Sequence, residues 1–254
     1  MLRAHQCLTV AVLFGMSQAA QASLLSNNSI FFDDFSSYSA ANNVPNNATN
    51  TAVGPWDAYS DGSNAGITFD GNVVVMRQQS SGNARLRSPG IVFPADYAAE
   101  VRFNLTGSTP TGADAWELFD TARLGNGGVE LGAAQDAGGP GSATYNLTWG
   151  AGDGIPVIIP LQNLTKGTFY TVTGHKKSDG SVDVYLDGAL ISTQSVTAPN
   201  TPIDFFMGST HGAVNGFLTV DYVSVGNFVP EPGSMALSVM AGLGLLAFAR
   251  RKRR

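Results

Sequence analysis

Residues 169–190 read Phe-Tyr-Thr-Val-Thr-Gly-His-Lys-Lys-Ser-Asp-Gly-Ser-Val-Asp-Val-Tyr-Leu-Asp-Gly-Ala-Leu, and this stretch decides the fold class. A first strand ends near Lys176, and Asp179-Gly180 turns the chain. Apolar residues then alternate with polar ones over residues 182–187, and a second Asp-Gly turn follows at 187–188. Period-two alternation between Asp-Gly pairs predicts consecutive antiparallel hairpins.

The rest of the chain body repeats this pattern of short β-branched and aromatic runs between Gly, Asn, Asp and Ser clusters. A hairpin is predicted over residues 66–77, with Asp70-Gly71-Asn72 as its turn. Further strands are predicted at residues 97–105, 115–124, 144–149, 169–175, 182–186, 203–207 and 217–225. Residues 36–54 and 125–143 are rich in small or polar residues and are predicted to be exposed loops.

Three segments resemble the laminin-G and concanavalin A-like jelly-roll family. The segment Tyr-Leu-Asp-Gly at 185–188 is similar to a Tyr-Val-Asp-Gly type segment of that family. Val-Asp-Tyr-Val-Ser-Val at 220–225 resembles its last strand, and Phe-Phe-Asp-Asp-Phe at 31–35 resembles its opening. The resemblance implies one all-β, concanavalin A-like (laminin-G-like) jelly-roll sandwich over residues 23–228. Generic hairpins of another β-sandwich are the alternative.

The first 22 residues have the three zones of a secretory signal peptide. Arg3 precedes an apolar run over residues 7–16, and Ala20-Gln21-Ala22 supplies the small residues of a cleavage site. We expect export through the secretion translocon and cleavage after Ala22, with a buried N-terminal helix as the alternative. The only cysteine, Cys7, lies in this segment, so the mature chain would have no disulfide.

Residues 229–254 divide into three parts with different physical roles. Pro230 and Pro232 flank Glu231 and keep this segment extended. The apolar run at 235–249 would form a helix about 22 Å long. That is shorter than the hydrocarbon layer of about 30 Å, so a thin or transient membrane span is predicted. The chain ends in basic residues that would stay on the cytoplasmic side: Arg250, Arg251, Lys252, Arg253 and Arg254.

This combination resembles the PEP-CTERM sorting signals. The resemblance implies that Pro230, Glu231 and Pro232 are recognised by a membrane enzyme, exosortase, which releases or transfers the body. The protein would be anchored transiently in the inner membrane of a Gram-negative bacterium and then reach the cell surface or the extracellular matrix. A plain C-terminal membrane anchor is the alternative.

Without its two ends, the body retains 8 Lys and Arg against 18 Asp and Glu, a net charge of −10. We expect no nucleic-acid partner, because phosphate binding depends on clusters of Lys and Arg. A strongly anionic polysaccharide would be repelled unless divalent cations bridged it to the protein.

Catalytic strings known from this fold are missing. The Glu-x-Asp-x-x-Glu string of family 16 glycosidases and the strings of alginate lyases are absent, as is a Gly-x-Ser-x-Gly elbow. Regular strand alternation would place Asp114 and Asp120 on one face and Glu117 on the other, which is a poor template for a retaining pair. His175 and His211 are predicted to be surface residues. The sequence therefore predicts no catalytic residues, and a divergent polysaccharide hydrolase or lyase is the alternative.

Relatives of this fold often hold a structural Ca²⁺ through an Asp of the last strand. The resemblance gives that role to Asp221, with Asp33 and Asp34 as further candidate ligands. Asp221 is the sole charge in a strand whose neighbours are predicted to be buried, so its carboxylate needs a partner such as a cation, and hydrogen bonds to backbone amides are the alternative. Trp56 follows a proline and precedes a polar segment, so it is the preferred candidate for stacking on a sugar ring. The sequence predicts an exported, non-catalytic surface protein that binds carbohydrate or associates with exopolysaccharide. A purely structural protein without a ligand is the remaining hypothesis.

Overall fold

The computed structural model describes residues 24–45, 48–60, 65–78, 83–108, 116–120, 129–136, 142–150, 159–196, 204–208 and 215–229. Within these residues the chain forms sixteen strands and one short 3-10 helix, Ala40–Asn42. The strands are β1 (Leu25–Asp33), β2 (Ala48–Val53), β3 (Trp56–Ser60), β4 (Gly66–Phe69), β5 (Val74–Gln78), β6 (Ala84–Pro89), β7 (Tyr97–Ser108), β8 (Trp116–Asp120), β9 (Glu130–Asp136), β10 (Thr144–Gly150), β11 (Ile159–Thr165), β12 (Tyr170–Lys176), β13 (Ser181–Leu186), β14 (Ala189–Ser195), β15 (Asp204–Gly208) and β16 (Asn215–Phe228). The described strands lie in one compact unit, Leu25–Val229.

The described strands form two antiparallel sheets of eight strands each. Sheet A has the order β14-β13-β12-β7-β16-β5-β4, and β1 also pairs with β16. Sheet B has the order β11-β10-β9-β8-β15-β6-β3-β2. The last strand, β16, pairs with β1, β5 and β7, so it joins the beginning of the body to its middle. The predicted all-β sandwich is confirmed.

The two hairpins of residues 169–190 are present as predicted. Gly180 has φ +86° in the β12–β13 turn, and its N–H donates to the carbonyl of Lys177 at 3.1 Å. Asp187 and Gly188 both have positive φ in the β13–β14 turn, which is typical of a two-residue hairpin loop. The hairpin of residues 66–77 is also confirmed, as β4 and β5.

The two predicted loops are wrong in part, because each contains a strand. Residues 36–54 include β2, which pairs with β3 at the edge of sheet B. Residues 125–143 include β9, which lies inside sheet B between β8 and β10. Their Ala, Gly and Asn residues have low strand propensity, but the hydrogen bonds to neighbouring strands satisfy the backbone and outweigh it.

The two sheets bury one continuous apolar core between them. Strand β7 shows the principle: Tyr97, Ala99, Val101, Phe103 and Leu105 face the core, because residues two apart share a face of the sheet. All three tryptophans lie in this core. Stability therefore rests on burial, as expected for a body without cysteine.

The predicted signal peptide, the Pro-Glu-Pro motif, the apolar run and the basic end lie outside the described residues. In the part of the chain that the structure describes, no helix is both long and apolar enough to cross a membrane. These features of the two ends stay predictions.

Candidate functional site

Strand β8 contains a β-bulge that changes which of its residues share a face. Glu117 is in register with Gly132 of β9, and Asp120 with Glu130. Positions 130 and 132 are two apart, whereas positions 117 and 120 are three apart, so one extra residue is inserted near Leu118. Because residues two apart share a face, the bulge places positions 117, 120 and 130 on one face of sheet B. The prediction that Glu117 and Asp120 lie on opposite faces is wrong.

The register of sheet B extends this face into two rows that cross six strands, and we name it the B face. Residues between the row positions, such as Leu86 and Leu131, point into the core. From β10 to β3, the first row is Thr148, Gly132, Glu117, Gly208, Arg85 and Tyr59, and the second row is Gly150, Glu130, Asp120, Phe206, Arg87 and Asp57. The outer side of sheet B thus combines acidic positions in its centre with basic and aromatic residues beside them.

Glycines lie on both sides of position 117 in the first row, so the surface beside this position has no side chains and is lower than its surroundings. A Cβ at Gly132 would lie 3.0 Å from the carbonyl oxygen of Trp116. A Cβ at Gly208 would lie 2.3 Å from the carbonyl oxygen of Ala84, and this residue has φ +133°. Gly208 therefore admits no side chain, and Gly132 leaves little room for one, so the backbone itself forms the floor of the B face beside Glu117.

A basic and aromatic cluster flanks this low centre. The guanidinium of Arg85 lies 4.1 Å from the ring centroid of Tyr59 and 5.9 Å from that of Phe206. A cation over an aromatic face is attracted by the ring quadrupole, which restrains the guanidinium plane. Tyr59 and Arg85 are each partly exposed, whereas Phe206 is buried. This cluster combines ring surface with N–H donors in one place.

The arrangement is chemically suited to a polyhydroxylated ligand. Ionised carboxyl groups accept hydrogen bonds from hydroxyls, and guanidinium N–H groups donate them. Directly opposite residues of an antiparallel pair have Cα atoms about 4.5–5.5 Å apart, which brings the backbone positions of Asp120 and Glu130 together. The sequence pattern did not reveal this set, because the bulge and the strand order both depend on contacts distant in sequence.

The residues predicted to bind calcium occupy different environments. Asp33 is buried, and its carboxylate accepts hydrogen bonds from three neutral donors. Asp34 is exposed and accepts from the backbone N–H and the hydroxyl of Ser36, and the hydroxyl bond, followed by the backbone bond, lowers its pKa. Asp221 is only half-buried and pairs with the guanidinium of Arg102.

The expectation that Asp221 is a buried carboxylate in need of a cation is therefore wrong, since it already has one. Among the described residues, no group of three or more His, Cys, Asp or Glu side chains is arranged to hold a metal. Calcium binding stays a prediction that rests on the sequence resemblance.

Trp56 is not a surface platform, and that prediction is wrong. Its side chain is 1% exposed, and its ring packs against Phe31 and Phe35 with centroid distances of 5.2 and 6.2 Å. Its Nε1–H donates to Asp33 at 2.7 Å. The residue forms part of the core and cannot stack on a sugar ring.

The outer face of sheet A carries a polar network that the sequence pattern did not reveal. Glu100 is buried there and accepts hydrogen bonds from the hydroxyls of Thr173 and Tyr222, each at 2.8 Å. Burial, and then the charge of Glu100, raises the pKa of Tyr222. His175, predicted to be exposed, is also buried, since it stacks on Phe228 and its Nε2 lies 2.9 Å from Asp96. Glu100 thus bonds Thr173 and Tyr222, His175 separately pairs with Asp96, and we interpret both sets as structural.

No protein family model and no curated protein matches this sequence. Solved structures do match. The carbohydrate recognition domain of Emp47p aligns with a TM-score of 0.51 at 15% identity, covering 75% of this chain and 97% of that one. The fold is that of the concanavalin A-like sandwiches.

Two glycosidase structures agree with this assignment. A β-glucanase of Bacillus licheniformis aligns with a TM-score of 0.52 at 15% identity, covering 78% of this chain and 97% of that one. A structure described as a native glycosidic hydrolase gives 0.52 at 16% identity, covering 82% of this chain and 100% of that one. At these identities the likeness concerns the fold alone.

Proposed function

We propose that this protein is an exported, non-catalytic surface or matrix protein whose sandwich domain binds carbohydrate on the B face. The observation that carries the proposal is the pair of rows across sheet B. They place three acidic positions beside the Arg85–Tyr59–Phe206 cluster over a floor of glycine backbone. Such a surface offers hydroxyl acceptors, hydroxyl donors and a ring face together.

Charge and fold both support a polysaccharide of low charge as the ligand. The body charge of −10 opposes the approach of a polyanion, but has no such effect on a neutral glycan. One protein with this fold is described as a carbohydrate recognition domain, and two others are described as a glucanase and a glycosidic hydrolase. The family of folds therefore supplies precedents for sugar recognition, although no residue is transferred from them.

The binding proposal is tested with a glycan array and two matched pairs of variants of the purified protein. Tyr59→Ala and Arg85→Gln alter the B face, whereas Phe32→Ala and Arg102→Gln alter an aromatic and a basic residue on the outer side of sheet A. We expect retained glycans to bind the two B-face variants at least tenfold more weakly and the two controls within twofold of the unchanged protein. Retention of no glycan, or equal binding by all four variants, would contradict the proposal.

Glycan hydrolysis is the second candidate, and the bulge in β8 is the observation that favours it. A retaining glycosidase uses two carboxyl groups about 5 Å apart, and the register brings positions 117, 120 and 130 to one face. Incubation with the retained glycans decides between the two functions. If reducing ends or unsaturated products are released, and if this release is lost in Glu117→Gln or Asp120→Asn, the protein is an enzyme and the non-catalytic proposal is wrong. Retention of the glycans without turnover would exclude catalysis.

Export and sorting belong to the same proposal. The motif Pro230-Glu231-Pro232, the apolar run and the basic end support processing by an exosortase. Mass spectrometry of the surface-extracted protein should find a chain without the apolar run, and Glu231→Ala should trap an unprocessed membrane-bound form. Replacement of the five basic residues by Ser should disturb orientation. A surface form that still ends at Arg254 would leave only a membrane anchor.

A further inference from the structure

A cleft of about 450 Å³ lies at the edge of sheet A, away from the B face. Its floor is formed by outward positions of β4 and β5, including Gly66, Thr68 and Val75. One wall is the segment at Val44, which two backbone hydrogen bonds to Ile67 hold in place at 2.9 and 3.1 Å. The volume lies within the range of about 300–1,000 Å³ that is usual for small-molecule sites.

The opposite wall combines a cation with an aromatic ring. Arg77 of β5 is directly opposite Phe217 of β16 on one side and Gly66 of β4 on the other. Phe217 is 42% exposed, which is unusual for a phenylalanine in a strand. Since Gly66 has no side chain, the space beside Arg77 stays open. The structure gives Arg77 no ion pair within the described part of the chain.

Asn43 adds an oriented donor at the other side of the cleft. Its side-chain oxygen accepts a hydrogen bond from the backbone N–H of Phe69 at 2.8 Å. This bond fixes the orientation of the amide, so the amide nitrogen is left as the group with N–H donors to offer. A ligand between the two walls would meet a guanidinium, a ring face, an amide donor and the hydroxyl of Thr68.

We propose that this cleft binds a single uronic acid residue, with its carboxylate on Arg77 and one face of its sugar ring on Phe217. A guanidinium donates two parallel N–H···O hydrogen bonds to a carboxylate and pairs with its charge. A neutral sugar has no charged group that could form this pair. The ring C–H groups of a pyranose pack on an aromatic face. Asn43 and Thr68 can form hydrogen bonds with the remaining hydroxyls of the sugar.

The body charge of −10 restricts the ligand to one with widely spaced carboxylates. At physiological salt the Debye length is about 8 Å. The attraction between one carboxylate and Arg77 acts within this distance, whereas the repulsion from acidic residues further away is screened. A dense polyuronate would bring several carboxylates within that distance of the acidic body. The cleft therefore fits an isolated or terminal uronate of a sparsely charged polysaccharide. The inference is independent of the B face.

Isothermal titration of the full-length protein with methyl glucuronide and methyl galacturonide tests the site. Methyl glucoside and the methyl ester of the glucuronide serve as neutral ligands of nearly the same shape. We expect at least one uronide to bind at least tenfold more tightly than either neutral ligand at 0.15 M salt. Equal binding of the uronide and its ester, or no binding of either uronide, would overturn the proposal.

Variants locate the binding within the molecule. Arg77→Gln should weaken uronide binding at least tenfold, and Arg77→Lys should give an intermediate value because it keeps the charge and loses the bidentate geometry. Phe217→Thr should weaken uronide and glucoside alike. The control Lys166→Gln removes the same charge in the turn after β11 and should bind within twofold of the unchanged protein. If Arg77→Gln folds, as judged by circular dichroism, and still binds normally, the site is wrong.

Discussion

Asp33 is the residue whose replacement should damage the fold most directly. Its Oδ1 accepts a hydrogen bond from the N–H of Phe35 at 2.8 Å, and its Oδ2 accepts from the hydroxyl of Tyr38 and from Nε1–H of Trp56, both at 2.7 Å. Phe35 has φ +56°, which is unusual for a bulky residue, and the bond to Asp33 helps to hold it there. One carboxylate thus joins the end of β1, the segment after it, and β3.

We expect Asp33→Ala to lower the free energy of unfolding by about 4 kcal/mol, because each buried donor left without a partner costs about 1–3 kcal/mol. Asp33→Asn should cost about half as much, since one oxygen remains and the Tyr38 hydroxyl can reverse its role, so that only one donor is left unpaired. The exposed neighbour gives a matched control: Asp34→Ala should cost no more than about 1 kcal/mol. Urea denaturation followed by fluorescence measures these differences.

A double-mutant cycle identifies the donor that suffers. Trp56→Phe removes the indole N–H, so Asp33→Asn should cost less in that background, with a coupling of about 1 kcal/mol. The reasoning is refuted if Asp33→Ala costs less than the Asp34→Ala control. Strict additivity of Asp33→Asn and Trp56→Phe would show that the indole bond does not contribute to the effect.

Three further predictions follow from other charged residues. Lys176 is 1% exposed, its ammonium donates a hydrogen bond to the carbonyl of Ala95, and burial lowers its pKa. Lys176→Met should therefore leave the free energy of unfolding unchanged or raise it by about 1 kcal/mol. Urea denaturation measures this, and a large loss of stability would contradict it. Burial acts to raise the pKa of Asp183, but the hydrogen bonds from Lys177 and a threonine outweigh it and lower the pKa below 3.8. The contribution of this carboxylate to stability is thus present above pH 3.8 and is lost as the pH falls through its pKa in the folded protein. In Asp183→Asn, stability should therefore decrease less steeply as the pH falls through this range. If calcium binds, a hundredfold excess over its dissociation constant should stabilise the protein by about 2.7 kcal/mol, and Asp221→Ala should abolish the gain; identical melting curves with calcium and with chelator would exclude the site.

Sequence reasoning was effective wherever local pattern alone determines structure. The Asp-Gly turns and the alternation over residues 182–187 predicted β13 and both of its hairpins, because turn geometry and face alternation are properties of a few neighbouring residues. The same holds for β7 and β16, whose long apolar periodicity marks strands that pair on both sides. These elements were enough to assign the fold class.

Strands without such a pattern were missed for a physical reason. β9 consists almost wholly of residues with low strand propensity, and β2 has Ala and Asn between its threonines and no run of large apolar residues, so composition favoured loops. Their pairing with β3, and with β8 and β10, is decided by residues far away in the sequence. Gly132 illustrates this: a glycine signals flexibility in isolation, yet here it permits close contact with the backbone of Trp116.

The errors at the predicted site have the same origin, since a residue's type shows what partner it needs and not which partner it has. Asp221 needed a cation, and Arg102 supplies it across the β7–β16 pair.

The B face extends this argument to function, because no member of it is informative alone. Glu117 becomes the centre of a low surface only when β9 and β15 place a glycine on either side of it. Its companion Asp120 joins the same face only because the bulge shifts the register by one residue. If β8 kept its length but paired without the bulge, Asp120 would fall on the face opposite Glu117, and every later position of β8 would change face. The chemistry proposed for this surface is thus a property of strand order and register, and a variant that alters register alone should lose it.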